Sequence, residues 1–103
     1  MIKKPKIILF NCSTNIVGGG IKNAVLFIQQ ALVYKQLDWR FAISEPVLLL
    51  MNDKDIPVDH RFKVFLKSPA RSKNSRNELK QYVNKERVNL VYTMAGPAYV
   101  SFP

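Results

Sequence analysis

Three consecutive glycines, Gly18, Gly19 and Gly20, constrain the fold of this chain more than any other feature of its sequence. The apolar run before them predicts a buried strand over residues 6–11, since such runs are typical of parallel sheets covered on both faces. After them, helical periodicity predicts a helix over residues 21–37 that is buried around most of its circumference. Backbone N–H groups at such a junction approach an anion closely, and the helix dipole adds roughly half a positive charge. The alternative is a tight turn that serves only the packing of helix on sheet.

The rest of the chain alternates between strand-like and helical segments. Further strands are predicted over residues 39–44, 62–66 and 89–94. With the intervening helices, this alternation predicts an α/β fold, a Rossmann-like parallel sheet with flanking helices. In such a sheet the first three strands are laid down outward and the fourth returns to lie beside the first. The fourth strand lacks a helix after it, which predicts that residues 1–103 form an incomplete domain.

Two helices are expected between the later strands. Pro46 fits the first helical position of a short helix over residues 47–51, for which a strand is the alternative. Ser75, with Glu78 three residues later, matches a capping box and predicts a helix through about residue 87. Leu79, Tyr82 and Val83 are expected on its inner face.

Composition limits the classes of function. The 103 residues suffice for one domain, and no apolar run approaches the length of about 18 residues needed to cross a bilayer. A net charge of +9 suits an anionic partner, namely nucleic acid, an acidic membrane surface or a phosphorylated small molecule; a solvated basic face is the alternative. Cys12 is the only cysteine, which indicates a reducing, cytoplasmic setting.

Two loops of the predicted sheet face each other across one crevice at the carboxyl ends of the strands. The first, residues 13–20, contains Ser13, Thr14 and Asn15, whose side chains can bond to phosphate or sugar. The second follows the fourth strand and contains Gly96, for which an ordinary turn is the alternative.

The sequence does not match more specific nucleotide-binding or catalytic motifs. A dinucleotide fingerprint needs glycine where Asn23 stands, and no Gly-Lys-Ser/Thr follows the triplet. His60, the only histidine, is expected in a solvated loop, and Cys12 as a small buried apolar residue. The basic stretch from Lys63 to Arg76 lacks interleaved exposed aromatic residues, so no nucleic-acid partner is expected. No catalytic residue and no metal ligand is assigned.

Two segments carry a resemblance to a known family. Residues 18–28 (GGGIKNAVLFI), after a strand, resemble the first βα unit of retaining GT-B glycosyltransferases of family four. Residues 91–99 (VYTMAGPAY) look like the fourth strand and following loop of one branch of those enzymes. The resemblance covers nearly the whole chain, as the front part of the family's N-terminal domain.

The resemblance implies a function. Members transfer a sugar from a nucleotide-sugar donor to an acceptor, here a saccharide or a lipid-linked glycan, without a metal cofactor. Gly18, Gly19 and Gly20 would bind the donor diphosphate, while Gly96, Pro97 and Tyr99 would line the acceptor side of the cleft with residues 13–15. The family's C-terminal nucleotide-binding domain is not in these residues, so this part alone is expected to be inactive. A cytoplasmic protein with peripheral contact to anionic membrane is implied, and a small non-catalytic phosphate- or nucleotide-binding α/β module is the alternative.

Overall fold

A computed structural model describes residues 6–15 and 20–93 of the chain, and their central element is a parallel sheet. Its four strands lie in the order β3-β2-β1-β4. The strands are β1 (Ile7–Cys12), β2 (Asp38–Ser44), β3 (Phe62–Phe65) and β4 (Leu90–Thr93), and the helices are α1 (Gly20–Val33), α2 (Glu45–Asp53) and α3 (Lys73–Lys85). The α/β class, the parallel Rossmann-like sheet and the return of the fourth strand to the first are thereby confirmed.

Register places β1 at the centre of the sheet. Phe10 of β1 lies opposite Phe41 of β2 on one side and Tyr92 of β4 on the other. Because successive side chains on a strand point to opposite faces, alternate residues of β1 serve two separate cores. One core lies beneath α1 and α2, and the other beneath α3.

The core beneath α1 and α2 is the larger and is rich in aromatic rings. Phe27 of α1 stacks on Phe10 with ring centroids 4.1 Å apart, and it meets the edge of Trp39 at 5.4 Å. Phe41 continues the row, with centroids 6.2 Å from Trp39 and 4.5 Å from Phe62 of β3. This row of rings runs across β1, β2 and β3 and fixes α1 on the sheet.

The core beneath α3 is smaller and carries polar links at its border. Its fully or almost fully buried members are Leu9, Ala42, Phe65 and Leu79. At the border, Arg40 Nε donates to Glu86 Oε1 over 2.7 Å, and the Tyr82 hydroxyl donates to the carbonyl oxygen of Arg61 over 2.9 Å. The expected inner face of α3 is confirmed, with Leu79 buried and Tyr82 and Val83 packed beside it.

Helix α1 differs from its sequence-based prediction. It ends at Val33 rather than near residue 37, and Leu26 and Val33 are 52% and 77% exposed. The prediction of burial around most of the circumference is therefore wrong. Within the described residues, the sheet covers only one side of α1, so the apolar residues on its other side contact solvent.

The start of α3 also differs. The cap is Ser72, which has extended backbone and accepts a hydrogen bond from the Ser75 N–H at 3.2 Å. Ser75 is a buried residue inside the helix, so its predicted role as cap of a capping box with Glu78 is wrong. Both serines offer a hydroxyl, and only the extended backbone at Ser72 permits the capping geometry.

The short second helix is confirmed. Ser44 caps α2, and Pro46 lies in its first turn, where the missing N–H costs nothing. No helix in the described part of the chain is long and apolar enough to cross a membrane.

Candidate functional site

The carboxyl end of β1 is the point where the sheet changes direction. The chain leaves β1 toward β2 and β3, and α3 then brings it back to β4 on the other side of β1. The connections on the two sides of β1 therefore diverge, and in open α/β sheets ligands bind outside the carboxyl ends of the strands at such a point, here β1 and β4. The candidate site lies there.

An asparagine and a serine are buried at the end of β1. Asn11 and Ser13 are 1% and 0% exposed. Asn11 Oδ1 accepts two hydrogen bonds, from the Ser13 backbone N–H at 3.2 Å and from the Ser13 hydroxyl at 2.6 Å. These two donors fix the orientation of the Asn11 amide, so that its Nδ2 group points away from Ser13.

The turn after β1 is held by backbone contacts. The Asn15 N–H donates to the carbonyl oxygen of Cys12 over 3.1 Å, and the Asn15 carbonyl accepts from the Ser44 hydroxyl at 2.6 Å. Ser44 is also the cap of α2, so one side chain connects the turn to the end of β2. Thr14 and Asn15 are half-buried, and the turn is accessible to solvent through them.

The N-terminus of α1 lies against this turn. A Cβ atom added to Gly20 would lie 2.8 Å from Asn15 Nδ2, so glycine at this position leaves room for the amide. The first turn of α1 contains no acidic residue, and Lys22 in that turn is exposed. The positive end of the helix dipole is thus not offset by a carboxylate in the helix, and Lys22 adds to it.

Two amide atoms at the site are buried without a partner in the part of the chain that the structure describes. They are Asn11 Nδ2, a donor, and Asn15 Oδ1, an acceptor. Leaving such a group unsatisfied costs about 1–3 kcal/mol, so each needs an explanation. Sequence reasoning singled out Asn15 but missed Asn11, for which the only signal is a polar residue directly after an apolar strand run.

The structure places the predicted site residues as follows. Ser13, Thr14, Asn15 and Gly20 come together at the end of β1. Gly18, Gly19, Gly96, Pro97 and Tyr99 lie outside the described residues.

Other candidate groups lie elsewhere. His60 is exposed in the loop before β3, as expected. Cys12 is fully buried beneath α1 and α2, where burial raises the pKa of its thiol far above the ordinary value, so it is a core residue as predicted. No three His, Cys, Asp or Glu residues are grouped as a metal ion requires within residues 6–15 and 20–93.

The basic stretch surrounds the start of α3. Arg76 donates to the Pro69 carbonyl at 3.0 Å, and the Lys63 ammonium lies 6.0 Å from the centre of the Phe65 ring. Lys67, Arg71 and Lys73 are exposed. A groove of about 370 Å³ lies beside them, and its lining includes Lys67, Glu78, the cap Ser72 and Ser75.

Comparison of the chain with protein-family models, with curated proteins and with solved structures gave no match.

Proposed function

We propose that this chain is the N-terminal part of a retaining GT-B glycosyltransferase of family four. The observation that carries the proposal is the strand–turn–helix unit from β1 to α1, with β4 returning beside β1 to form one crevice. The sequence resemblance over residues 18–28 and 91–99 supports it, because the described parts of these segments, residues 20–28 and 91–93, belong to α1 and β4.

In the proposed reaction, the crevice receives a nucleotide-sugar donor, and no metal ion is required. The diphosphate would bind at the N-terminus of α1, with backbone N–H groups of Gly18, Gly19 and Gly20 as proposed donors, and the exposed Lys22 of that turn adds positive charge. The glycan or lipid-linked acceptor would enter from the side of β4, past Gly96, Pro97 and Tyr99. The net charge of +9 suits peripheral contact with an anionic, cytoplasmic membrane surface.

A second candidate function rests on the same geometry. A small α/β module that binds phosphate or a nucleotide without catalysis needs only the turn after β1 and the N-terminus of α1. It would need neither an acceptor nor a second domain.

Ligand binding tests the site that both functions share. In an NMR titration of the ¹⁵N-labelled chain with pyrophosphate, UDP and UDP-glucose, we expect the amide signals of residues 13–15 and 20–23 to shift first. Lys22→Ala should weaken pyrophosphate binding by about 2–5-fold, as expected for one charge at a helix terminus. Lys73→Ala is the matched control, since Lys73 is also an exposed lysine in the first turn of a helix. Equal effects of the two substitutions would contradict a site at α1.

The coding DNA separates the two functions. The glycosyltransferase proposal requires an open reading frame beyond the codon for Pro103. That frame should encode a second Rossmann-like domain with two glutamates eight residues apart. A stop codon there would favour the binding module.

A further inference from the structure

Strand β3 forms one edge of the sheet within the described part of the chain, where it pairs with β2 alone. The Phe41 N–H donates to the carbonyl oxygen of Arg61 over 2.8 Å, which fixes the phase of this parallel ladder. Because alternate residues of a strand bond to opposite sides, Lys63 and Phe65 use their backbone groups on β2, and Val64 presents its own to the open edge. The edge therefore offers a donor and an acceptor to a further strand.

A continuous groove lies between this edge and α3. One part, of about 370 Å³, has Val64 and Leu66 in its lining, and a second part, of about 430 Å³, has Phe62 and Gln81. Glu78 lines both parts, so they join. Strand β3 has four residues, and an added strand of the same length, about 13 Å, would pair along it.

The two faces of β3 favour different side chains in an added strand. Phe62 and Val64 pack against the core beneath α1 and α2, so apolar residues would lie beside them. Lys63 lies on the opposite face, and the exposed Lys67 and Lys85 also line the groove. Acidic residues would lie beside these lysines, so an added strand should alternate between apolar and acidic residues.

The charge of the groove decides between occupants. Its lining has three lysines and two glutamates, and one of these, Glu86, already accepts a hydrogen bond from Arg40 over 2.7 Å. Antiparallel pairing with a second copy, centred on residue 63, 64 or 65, would set Lys63 opposite itself, Arg61 opposite Lys67, or Lys63 opposite Lys67. Like charges directly opposite each other are destabilising, so a second copy is disfavoured and an acidic segment is favoured.

We propose that the edge of β3 binds an extended segment of a partner protein in which apolar and acidic residues alternate. Backbone hydrogen bonds to Val64 supply the affinity, and the lysines of the groove select the acidic side chains. This surface lies at the opposite edge of the described sheet from β4, and the inference does not depend on the proposed function.

Fluorescence anisotropy of a labelled peptide tests the proposal. The probe is EVEVEVE with blocked ends, and the matched control EEEEVVV has the same composition and charge without the alternation. At low salt, we expect the full chain to bind EVEVEVE at least about tenfold more tightly than EEEEVVV. Absence of EVEVEVE binding would overturn the proposal, and so would equal affinities, because the groove would then be a basic surface that attracts any anion.

Charge variants with opposite expectations separate binding from loss of the fold. Lys63→Gln combined with Lys67→Gln should weaken EVEVEVE binding by about 3–10-fold, whereas Glu78→Gln should strengthen it by about twofold. Lys35→Gln, at an exposed position between α1 and β2, is the matched control and should leave the affinity unchanged. An effect of Lys35→Gln equal to that of the double variant would assign binding to net charge and contradict the proposal.

Methylation of the peptide backbone tests the added strand without altering the protein. Alternate N–H groups of a strand point to opposite sides, so methylating the valine amides and methylating the glutamate amides block different sides. An antiparallel added strand bonds through its valines and a parallel one through its glutamates, so one methylated peptide should bind about tenfold more weakly and the other should bind normally. Unchanged binding of both would refute strand addition.

Discussion

Replacing Leu79 by alanine should remove most of the apolar attachment of α3 to the sheet. Leu79 is fully buried and is the one fully buried apolar side chain that α3 contributes to the small core with Leu9, Ala42 and Phe65, within the described part of the chain. The substitution removes three carbon atoms, worth about 0.8 kcal/mol each, and the cavity left behind raises the loss to roughly 3–4 kcal/mol. Against a typical total stability of about 5–15 kcal/mol for a domain, this is a large fraction.

Urea unfolding followed by circular dichroism measures the effect. With a slope of about 1.5 kcal/mol per molar urea, the midpoint should fall by roughly 2–3 M. Leu49→Ala is the matched control, because Leu49 is also a helical leucine but is 59% exposed, and it should change the free energy of unfolding by less than about 0.5 kcal/mol. Equal midpoints for Leu79→Ala and the unaltered chain, or equal losses for the two variants, would refute the packing of α3 described above.

Three further predictions concern polar and titratable groups. Glu86→Ala should lower the free energy of unfolding by about 1–2 kcal/mol, because it removes the hydrogen bond that Arg40 donates to Glu86. Glu78→Ala, at an exposed position of α3, should have little effect, and equal losses of the two variants in urea unfolding would contradict this prediction. Burial raises the pKa of Tyr82 to about 12, so as pH rises the unfolded chain loses the phenolic proton before the folded protein does. The free energy of unfolding should therefore fall as pH rises from about 10 toward 12, and Tyr82→Phe should remove the part of this fall that Tyr82 causes. The Cys12 thiol should react with Ellman's reagent only on unfolding, and rapid reaction of the native protein with one equivalent would contradict its burial.

The order of elements could be predicted from the sequence because each strand is a short apolar run between polar turns. The rule that crossover connections are right-handed then predicts the strand order, since a parallel α/β chain of four strands has few alternative topologies. Two of the three errors concern helix boundaries, and the third concerns the burial of α1. Tyr34 and Leu37 extend the apolar periodicity of α1, but the chain must leave the helix to enter β2 at Asp38, and both side chains are exposed.

The candidate site was only partly predictable. The position of Ser13 and Asn15 could be predicted because a run of apolar residues shows where β1 ends. The involvement of Asn11 does not, because its amide orientation depends on a bond to Ser13 that forms only when the chain turns after Cys12. Composition and periodicity describe where a residue lies along an element, and not which of its atoms remain without a partner.

The row of aromatic rings beneath α1 has an optical consequence. Trp39 is the only tryptophan of the chain, and it touches Phe27 of α1 and Phe41 of its own strand. Its indole N–H is buried and donates no hydrogen bond to any described residue, so its fluorescence should be emitted at the short wavelengths typical of an apolar environment. Undocking of α1 would admit water to the indole and shift the emission to the red. The protein therefore carries a fluorophore that reports the contact between its first helix and its sheet without any added label.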